Sequence, residues 1–390
     1  MNSQIKRRRL GKTGLSVSEL SFGAMNLRKL SSFDEAYKIV NYVLDQGVNF
    51  IDTARAYKGE IAPGVVLESE MVVGNTIRQR TDLDEPIVIV TKGHAYTVPD
   101  LERELQISRD TLGVEGKGNL KIGQNDIKLI YFIHGINEER WQTAKQSGAL
   151  ERLQALKAEG VVNFIGFSSH YANAKEIKEA VDTGIFDVVE LPYNVFNRIL
   201  GEDGEINLLE YINKKNMGLI NMKAFDGNGM VPIYNVLREI IDIDYEAMLR
   251  FCLSNPYITT VDAGAINKEQ YDLDIKTALG RRFDQGELVA LKAEADKVSK
   301  HMKNICRECM HCLEKFECPN KLDFPKVLSV YSRYMISDKL GKDTSKFVDQ
   351  YSKLELNGED CLECGGCVPW CEYKLNIPEM LKEAHKVLGK

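Results

Sequence analysis

The chain has 390 residues, which is enough for two or three domains or for one large barrel with an appendage. Hydrophobic residues at 44% and charged residues at 28% exclude a disordered chain, a collagen-like fibre and a disulfide-held miniprotein. The net charge of -6 argues against broad nucleic-acid binding. Neither the roughly 20-residue apolar window of a membrane helix nor a secretory signal is found, so we expect a cytoplasmic protein with no membrane partner.

Short apolar or β-branched runs alternate with segments of helical periodicity through the first 290 residues. The predicted strands cover residues 17–23, 48–52, 86–92, 127–135, 162–168, 187–193, 218–223 and 258–264, with helices at 32–47, 149–160, 173–184 and 244–256. Eight such units predict an α/β protein with a closed (β/α)8 TIM barrel. An open doubly wound sheet is the alternative, but the turn after its first strand would carry G-x-G-x-x-G, which SFGAMN lacks.

Polar side chains stand at the ends of successive predicted strands, where the catalytic residues of such barrels lie. Asp52 ends the second strand, Tyr57 follows it, and Lys92 and His134 end or nearly end the third and fourth. Because an unpaired polar group at the tip of an apolar strand is costly, we expect these residues to form one constellation. A ring of structural ion pairs at the barrel mouth is the alternative.

This set of residues suits the addition of a hydride to a carbonyl group. Tyr57 can give a proton to the oxygen, and Lys92 is expected to lower the pKa of the phenol by stabilising its anion. Asp52 can hold Lys92 in its charged form, and His134 can orient the carbonyl. No protein side chain supplies a hydride, so a cofactor is required.

Several motifs resemble those of the aldo-keto reductase family, over roughly residues 5–290. They are RRLGKTGLSVSELSFGAMN at the first strand, FIDTARAY at the second, TKG at the third, LIYFIHG at the fourth, IGFSSH at the fifth and ELPYN at the sixth. The resemblance implies a barrel that binds NADPH or NADH across its C-terminal face. It also implies that Tyr57 is the proton donor, tuned by Lys92 and Asp52, and that His134 orients the substrate.

The resemblance further implies a set of cofactor-binding residues, some of which depart from the family pattern. Ser168 would hold the nicotinamide carboxamide, and Met222 stands where an aromatic residue usually stacks on the ring. Ser169 and Glu190 replace the usual asparagine and glutamine, and a carboxylate accepts from the amide but cannot donate to it. The remaining positions are Asp52, Lys223, Gly227 and Gly229 of a loop facing the pyrophosphate, Gly264, Asn267 and Lys268.

The choice between NADH and NADPH depends on residues 263–274, which resemble the adenosine-phosphate helix of the family. Lys268 is the cation found there, and no arginine accompanies it. One cation is a weak partner for a dianionic 2′-phosphate, which favours NADH or dual use.

Two insertions depart from the family pattern. Residues 59–68 lengthen the loop after Tyr57 and should reshape the substrate mouth. Residues 114–125 come before a strand and should therefore lie at the opposite face of the barrel.

Eight of the nine cysteines follow residue 305, although a cytosolic chain rarely collects thiols for disulfides. They form the patterns C-x2-C-x2-C-x5-C-P, at 306–319, and C-x2-C-x2-C-x3-C, at 361–371. Tandem triplets of this kind are the bacterial ferredoxin signature for [4Fe–4S] clusters. Two zinc sites are the alternative, but zinc sites normally use C-x2-C pairs.

In two-cluster ferredoxins the fourth cysteine of each run serves the other cluster. By that rule one cluster takes Cys306, Cys309, Cys312 and Cys371, and the other takes Cys361, Cys364, Cys367 and Cys318. The long spacing before Cys318, and Glu372 where a second proline is usual, leave the pairing open. About forty residues of helical periodicity separate the runs, as in α-helical dicluster ferredoxins and a subfamily of aldo-keto reductases that carries such an extension.

The sequence therefore predicts a barrel at residues 1–295 and an α-helical ferredoxin-like iron–sulfur domain at 296–390. The predicted function is an NAD(P)H-dependent oxidoreductase that interconverts a small-molecule carbonyl and its alcohol and carries two [4Fe–4S] clusters. Two alternatives stay open. The chain could instead be an electron-transfer module that docks a redox partner protein, or a regulatory barrel that senses the nicotinamide state.

Overall fold

The computed structural model describes residues 4–170, 173–226, 231–238, 241–299, 304–308, 310–371 and 373–389. The chain forms two compact units, one of Met1–Ala224 and Leu249–Phe283, the other of Phe225–Met248 and Asp284–Lys390. Within the described ranges, no helix combines the length and the apolar character needed to cross a bilayer.

The strands are β1 (Arg7–Arg9), β2 (Ser16–Ser18), β3 (Leu20–Gly23), β4 (Phe50–Asp52), β5 (Lys58–Ala62), β6 (Val65–Glu68), β7 (Ile87–Gly93), β8 (Val114–Glu115), β9 (Leu120–Ile122), β10 (Asn125–Ile133), β11 (Phe164–Ser168), β12 (Val188–Pro192), β13 (Gly218–Met222) and β14 (Thr260–Ala263). The helices are α1 (Phe33–Asp45), α2 (Ser69–Gln79), α3 (Val98–Leu112), α4 (Glu138–Gln146), α5 (Ala149–Ala158), α6 (Ala174–Asp182), α7 (Leu208–Lys214), α8 (Val231–Leu237), α9 (Tyr245–Ser254), α10 (Lys268–Leu279), α11 (Gln285–Ser299), α12 (His311–Lys315), α13 (Phe324–Lys339), α14 (Ser345–Ser352) and α15 (Ile377–Leu388).

The first unit is a closed parallel barrel. Its strands follow one another around the ring in chain order, namely β3, β4, β7, β10, β11, β12, β13 and β14. Parallel pairing of β14 with β3 and of β10 with β11 closes the ring. Each barrel strand falls at one of the eight predicted runs, so the (β/α)8 prediction is confirmed and the open doubly wound sheet is wrong.

The interior of the barrel is filled by alternate residues of its strands, since successive side chains on a strand point to opposite sides. Val88 and Val90 of β7 meet Ile130 and Phe132 of β10 in one buried apolar cluster, to which Phe50, Val188 and Ile220 also belong. The next residue of this alternation on β7 is Lys92. Asp52 and Glu190 hold the same position on β4 and β12, so the alternation carries polar residues to the C-terminal ends of an apolar interior.

The two insertions form antiparallel hairpins. β5 and β6 pair directly after Tyr57, and Gly59 lies so close to the backbone after β3 that an added Cβ would come 1.9 Å from the carbonyl oxygen of Arg28. β9 pairs with β10 at Asn125–Ile127, the start of that strand. The second insertion therefore lies at the N-terminal face, as predicted.

The second unit is helical. α13 begins with Pro325 in its first turn, and the carboxylate of Asp323 accepts a hydrogen bond of 3.1 Å from the amide of Lys326. α8, α14 and α15 pack against or beside α13. The helical periodicity predicted between the cysteine runs is confirmed by α13 and α14. Residues 225–248 also belong to this unit, although they begin only three residues after the end of β13.

Candidate functional site

Lys92 forms the centre of the polar group inside the barrel. Its side chain is fully buried, and its ammonium donates hydrogen bonds to Asp52 Oδ1 and, at 3.3 Å, to the carbonyl oxygen of Thr53. A carboxylate oxygen of Glu190 lies 3.3 Å from the same nitrogen. The predicted pairing of Lys92 with Asp52 is therefore present, and Glu190 adds a second carboxylate to it.

Tyr57 and His134 lie beside this ion pair. The nitrogen of Lys92 is 5.3 Å from the centre of the Tyr57 ring. The rings of Tyr57 and His134 meet edge to face, with centres 6.0 Å apart and planes at 86°. The structure thus brings together the four residues that the sequence indicated as catalytic.

The phenol of Tyr57 has a pKa above its ordinary value, chiefly because the group is buried. Lys92 lowers this pKa, whereas Asp52 and Glu190 raise it. The predicted lowering effect of Lys92 is therefore present, but burial and the two carboxylates outweigh it, so the pKa of the phenol is raised overall. The phenol is neutral throughout the physiological pH range and holds the proton that a carbonyl oxygen would need.

Asp262 is a third buried carboxylate in this group. Oxygens of Asp52, Glu190 and Asp262 lie within 4.8 Å of one another, and the hydroxyl of Ser21 donates to Asp262 Oδ1. Burial and the neighbouring Glu190 raise the pKa of Asp262 to about 8. Burial likewise holds the pKa of Asp52 well above its usual range. The cation among these oxygens is the protein's own, the ammonium of Lys92.

His134, which contacts Tyr57, belongs to a cluster of three imidazoles. The ring of His94 stacks on that of His134 at 4.4 Å and 7°, and His170 lies 5.8 Å from His134. The hydroxyl of Tyr96 donates a 2.6 Å hydrogen bond to the backbone carbonyl of His134. His94 and Asp262 were missed by the sequence analysis. The signals available were a histidine two residues after Lys92 and an acid at the end of the eighth strand.

The two serines at the end of β11 have different surroundings. The hydroxyl oxygen of Ser168 accepts a 3.0 Å hydrogen bond from the amide of Gly135, which leaves its proton for another acceptor. The hydroxyl of Ser169 bonds to the carbonyl of Ile136 at 3.1 Å and to Asn173 Oδ1 at 2.6 Å. Ser168 can therefore donate to a ligand, whereas Ser169 connects neighbouring loops.

The other predicted cofactor residues are placed as follows. Met222 is buried at the end of β13, and Lys223 has a left-handed backbone, with φ of 58°. The carbonyl of Gly264 accepts from Asn26, and Asn267 caps α10 by accepting from the amide of Gln270 at 2.9 Å. Gly227 and Gly229 lie outside the described residues.

Lys268 is engaged by its own helix. Its ammonium pairs with Asp272 one turn further along and lies 4.7 Å from the centre of the Tyr42 ring. The one cation predicted for a 2′-phosphate therefore already has a carboxylate partner.

In the second unit, one cavity is lined by cysteines from both runs. Cys306, Cys312 and Cys371 face it together with Arg307 and Tyr373. Arg307 forms an ion pair with Asp226, and its guanidinium lies 4.8 Å from the centre of the Tyr373 ring. Cys309 is outside the described residues. The described members of the first predicted ligand set thus converge on one space.

The second predicted ligand set also lies together. Burial, and to a smaller extent the nearby thiols of Cys361, Cys364 and Cys318, raise the pKa of Cys367 to about 11. The loop of the second cysteine run packs at Gly366 against Phe316, which is two residues before Cys318. An added Cβ on Gly366 would come 2.3 Å from the ring of Phe316. Left-handed residues next to the cysteines give the tight loops, namely Glu308, Met310 and Glu363, with φ of 45°, 66° and 50°.

Comparisons with known proteins agree with the barrel. Residues 19–239 match the family model described as Aldo/keto reductase family. The uncharacterised oxidoreductase YqkF of Bacillus subtilis is 25% identical over 316 residues, which cover 74% of this chain and 96% of that protein. D-threo-aldose 1-dehydrogenase of a Pseudomonas species is 28% identical over 184 residues, covering 43% of this chain and 55% of that protein.

Among solved structures, an aldo-keto reductase of Bacillus halodurans superposes with a TM-score of 0.59 at 22% identity, covering 74% of this chain and 96% of that one. This likeness shows the same fold. Together with the family match, it means that the chain belongs to the aldo/keto reductase family and is an NAD(P)-dependent oxidoreductase.

Proposed function

We propose that this chain reduces a small-molecule aldehyde or ketone to its alcohol, or catalyses the reverse reaction, with Tyr57 as the proton donor. The observation that carries this proposal is that Tyr57 lies beside both the ammonium of Lys92 and the ring of His134. A carbonyl oxygen in hydrogen-bond reach of the phenol would lie beside both groups.

The side chains have separate parts in this reaction. The nicotinamide, when bound, supplies a hydride to the carbonyl carbon. Tyr57 gives its proton to the oxygen, and Lys92 stabilises the negative charge left on the phenol. Asp52 keeps Lys92 charged, and His134 orients the carbonyl. Solvent then returns a proton to Tyr57, so the carbonyl gains one hydride and one proton overall.

The described residues fit a nicotinamide cofactor. Ser168 retains a hydroxyl proton for the carboxamide, and Asp52 Oδ2 is buried without a hydrogen-bond partner among the described residues. Glu190, Met222, Lys223, Gly264 and Asn267 complete the proposed site, with Ser169, Gly227 and Gly229 assigned from sequence alone. The ion pair of Lys268 with Asp272 supports NADH or dual use over strict NADPH use.

The variant Tyr57→Phe tests the reaction, because it removes the proton and keeps the ring. We expect NAD(P)H oxidation with a panel of aldehydes and ketones to fall by about 10²- to 10⁴-fold. Cofactor binding, followed by nicotinamide fluorescence, should stay within about twofold of the parent chain. Retention of more than half the activity would assign the proton to another group.

We also propose that the cysteines hold two [4Fe–4S] clusters, with Cys306, Cys309, Cys312 and Cys371 on one and Cys361, Cys364, Cys367 and Cys318 on the other. Support comes from the cavity that Cys371 shares with Cys306 and Cys312, and from the nearness of Cys318 to the second triplet. Thiolates are the donors that such clusters require, and the clusters would act as one-electron centres outside the hydride step.

Anaerobic purification followed by iron, sulfide and zinc analysis tests the metal. We expect about eight irons and eight sulfides per chain, the content of two clusters of this type. About two zinc ions without sulfide would replace the proposal by zinc sites, and fewer than four irons would remove the two-cluster assignment. A cytoplasmic location is proposed with it, because reduced thiols are typical of the cytosol. The domain assignment to 1–295 and 296–390 is proposed as a division along the sequence, whereas by packing residues 225–248 and 284–295 group with the second unit.

A further inference from the structure

The buried polar group of the barrel contains more carboxylates than it has cations. Asp52 and Glu190 contact Lys92 directly, and oxygens of both lie within 4.8 Å of Asp262. All four side chains are buried or nearly so. Lys92 is the one ammonium or guanidinium group that the described residues bring into contact with these carboxylates.

The distances between these groups indicate how negative charge is distributed over the three carboxylates. Three ionised carboxylates around one ammonium would give a buried net charge of -2, which is unfavourable in a low-dielectric interior. Glu190 and Asp262 are neighbours at one end of the group, and Asp262 is the member farther from Lys92, which it does not contact. One proton held between Glu190 and Asp262 makes the two side chains act as a single negative charge. Burial raises the pKa of Asp52, but the hydrogen-bonded ammonium of Lys92 opposes that rise and holds Asp52 as its ionised partner, so the group then carries -1.

This charge lies where the cofactor reacts. A carbonyl oxygen that takes the proton of Tyr57 brings its carbon, and the ring that gives the hydride, close to Lys92 and its carboxylates. The nicotinamide ring is a cation in its oxidised form and neutral in its reduced form. A buried negative charge therefore stabilises one form and not the other.

We propose that Glu190 and Asp262 share one proton and together make the chain bind NAD(P)+ more tightly than NAD(P)H. The inference rests on the proposed site of hydride transfer, and it assigns to Asp262 a part in setting the bound cofactor's redox balance. Tighter binding of the oxidised form makes the bound reduced form a stronger hydride donor by the same factor, because the two equilibria are linked.

The test compares the dissociation constants of NAD(P)+ and NAD(P)H in four versions of the full-length chain: the parent, Glu190→Gln, Asp262→Asn and the double variant. Replacing either acid by its amide leaves the other ionised, so both single variants should keep the parent ratio within about threefold. The double variant loses the charge, and its preference for NAD(P)+ should fall by about tenfold, the order expected for one buried charge at this range.

The ratio of the two dissociation constants in the variants decides between the alternatives. A ratio in the double variant within threefold of the parent overturns the inference, and a full loss in Glu190→Gln alone overturns the shared proton. Asp274→Asn is the matched control, since Asp274 is another buried acid of the same unit, on α10, and it should leave the ratio unchanged. Failure of the parent to bind either nicotinamide would instead overturn the proposed function.

A second measurement on the parent chain covers the case in which the double variant does not fold. The pKa of Asp262, raised to about 8, means that the shared proton is present at pH 7 and is lost above pH 8. The preference for NAD(P)+ should then rise between pH 7 and pH 9 in the parent and stay flat in Asp262→Asn. Equal slopes in the two chains would contradict the inference. The groups that face Asp262 are Ser21, Asp52, Lys92, Glu190 and Tyr271.

Discussion

The barrel brings carboxylates close together and the cysteine-rich unit brings thiols close together, but the two units differ in what compensates the resulting charge. In the barrel, the ammonium of Lys92 contacts the carboxylates of Asp52 and Glu190, so a cation of the chain itself neutralises part of their charge. In the second unit, burial and the nearby thiols of Cys361, Cys364 and Cys318 raise the pKa of Cys367, so we expect these groups to come together as thiolates only with the proposed metal.

The difference extends to the backbone. Lys92 and its partners stand at strand ends, where the alternation of an ordinary sheet places them. The cysteines stand in loops that use left-handed residues such as Glu308 and Glu363, a conformation that non-glycine residues rarely adopt without compensation. The barrel site is therefore assembled by the fold alone, whereas we expect the cysteine loops to depend on metal for their geometry.

Removal of the proposed metal should have the largest effect, and it should affect the second unit far more than the barrel. Chelation of the anaerobically purified chain is expected to make residues 304–389 sensitive to protease, because the binding energy of such a site is also folding energy. The barrel should stay resistant to the protease. A relative matches 74% of this chain with 96% of its own length, so we expect a barrel of this kind to fold without the remaining quarter of the chain. Mass spectrometry of the fragments locates the cuts. Cleavage that begins within the barrel strands at the same rate would show that the two units do not differ in this way.

Removal of the barrel's own cation should have the next largest effect. Lys92→Met leaves Asp52 and Glu190 buried without their partner, and the free energy of unfolding should drop by about 3–5 kcal/mol. Thermal and urea unfolding measure it. The control is Lys353→Met, which removes an exposed lysine paired with Asp349 one turn away and should cost less than about 1 kcal/mol. Similar losses in the two variants would mean that Lys92 does not hold the group together.

The sequence was sufficient for the elements and residues governed by local periodicity. The barrel strands, α13, α14 and the positions of Asp52 and Lys92 all follow from patterns within a few residues of one another. The order of the strand ends around the ring then brings Tyr57 and His134 into contact.

What the sequence did not show depends on ring closure and on burial. Asp262 meets Ser21 only because β14 pairs with β3, more than 230 residues away in the chain, and it approaches Glu190 because β13 alone separates β12 from β14 in the ring. The direction of the Tyr57 pKa shift depends on how many carboxylates surround one ammonium, which no local pattern reveals. Residues 225–248 join the second unit through contacts such as that of Asp226 with Arg307, which are equally remote in sequence.

A substitution in the second cysteine loop should have a smaller effect. Gly366→Ala would place a methyl group 2.3 Å from the ring of Phe316, and overpacking of this kind costs about 1–3 kcal/mol. We expect lower iron content after purification and faster loss of iron to a chelator. Gly286→Ala is the control, since its Cβ meets nothing closer than 3.3 Å at the start of α11. Unchanged iron retention in Gly366→Ala would show that this loop tolerates displacement.

The smallest expected effect concerns the imidazole cluster beside Tyr57. His94 is exposed and stacks on His134, so its ring limits how far that histidine can turn. His94→Gln removes this support without touching Lys92, and we expect kcat/KM for carbonyl reduction to fall about threefold to tenfold, equivalent to about 1 kcal/mol. The dissociation constant of NAD(P)H should not change, because the effect is on the orientation of the carbonyl. His94→Phe keeps a stacking ring and should recover most of the loss. If it does not, the imidazole of His94 acts through its nitrogens, and the barrel site would extend beyond the four residues that its strand ends predicted.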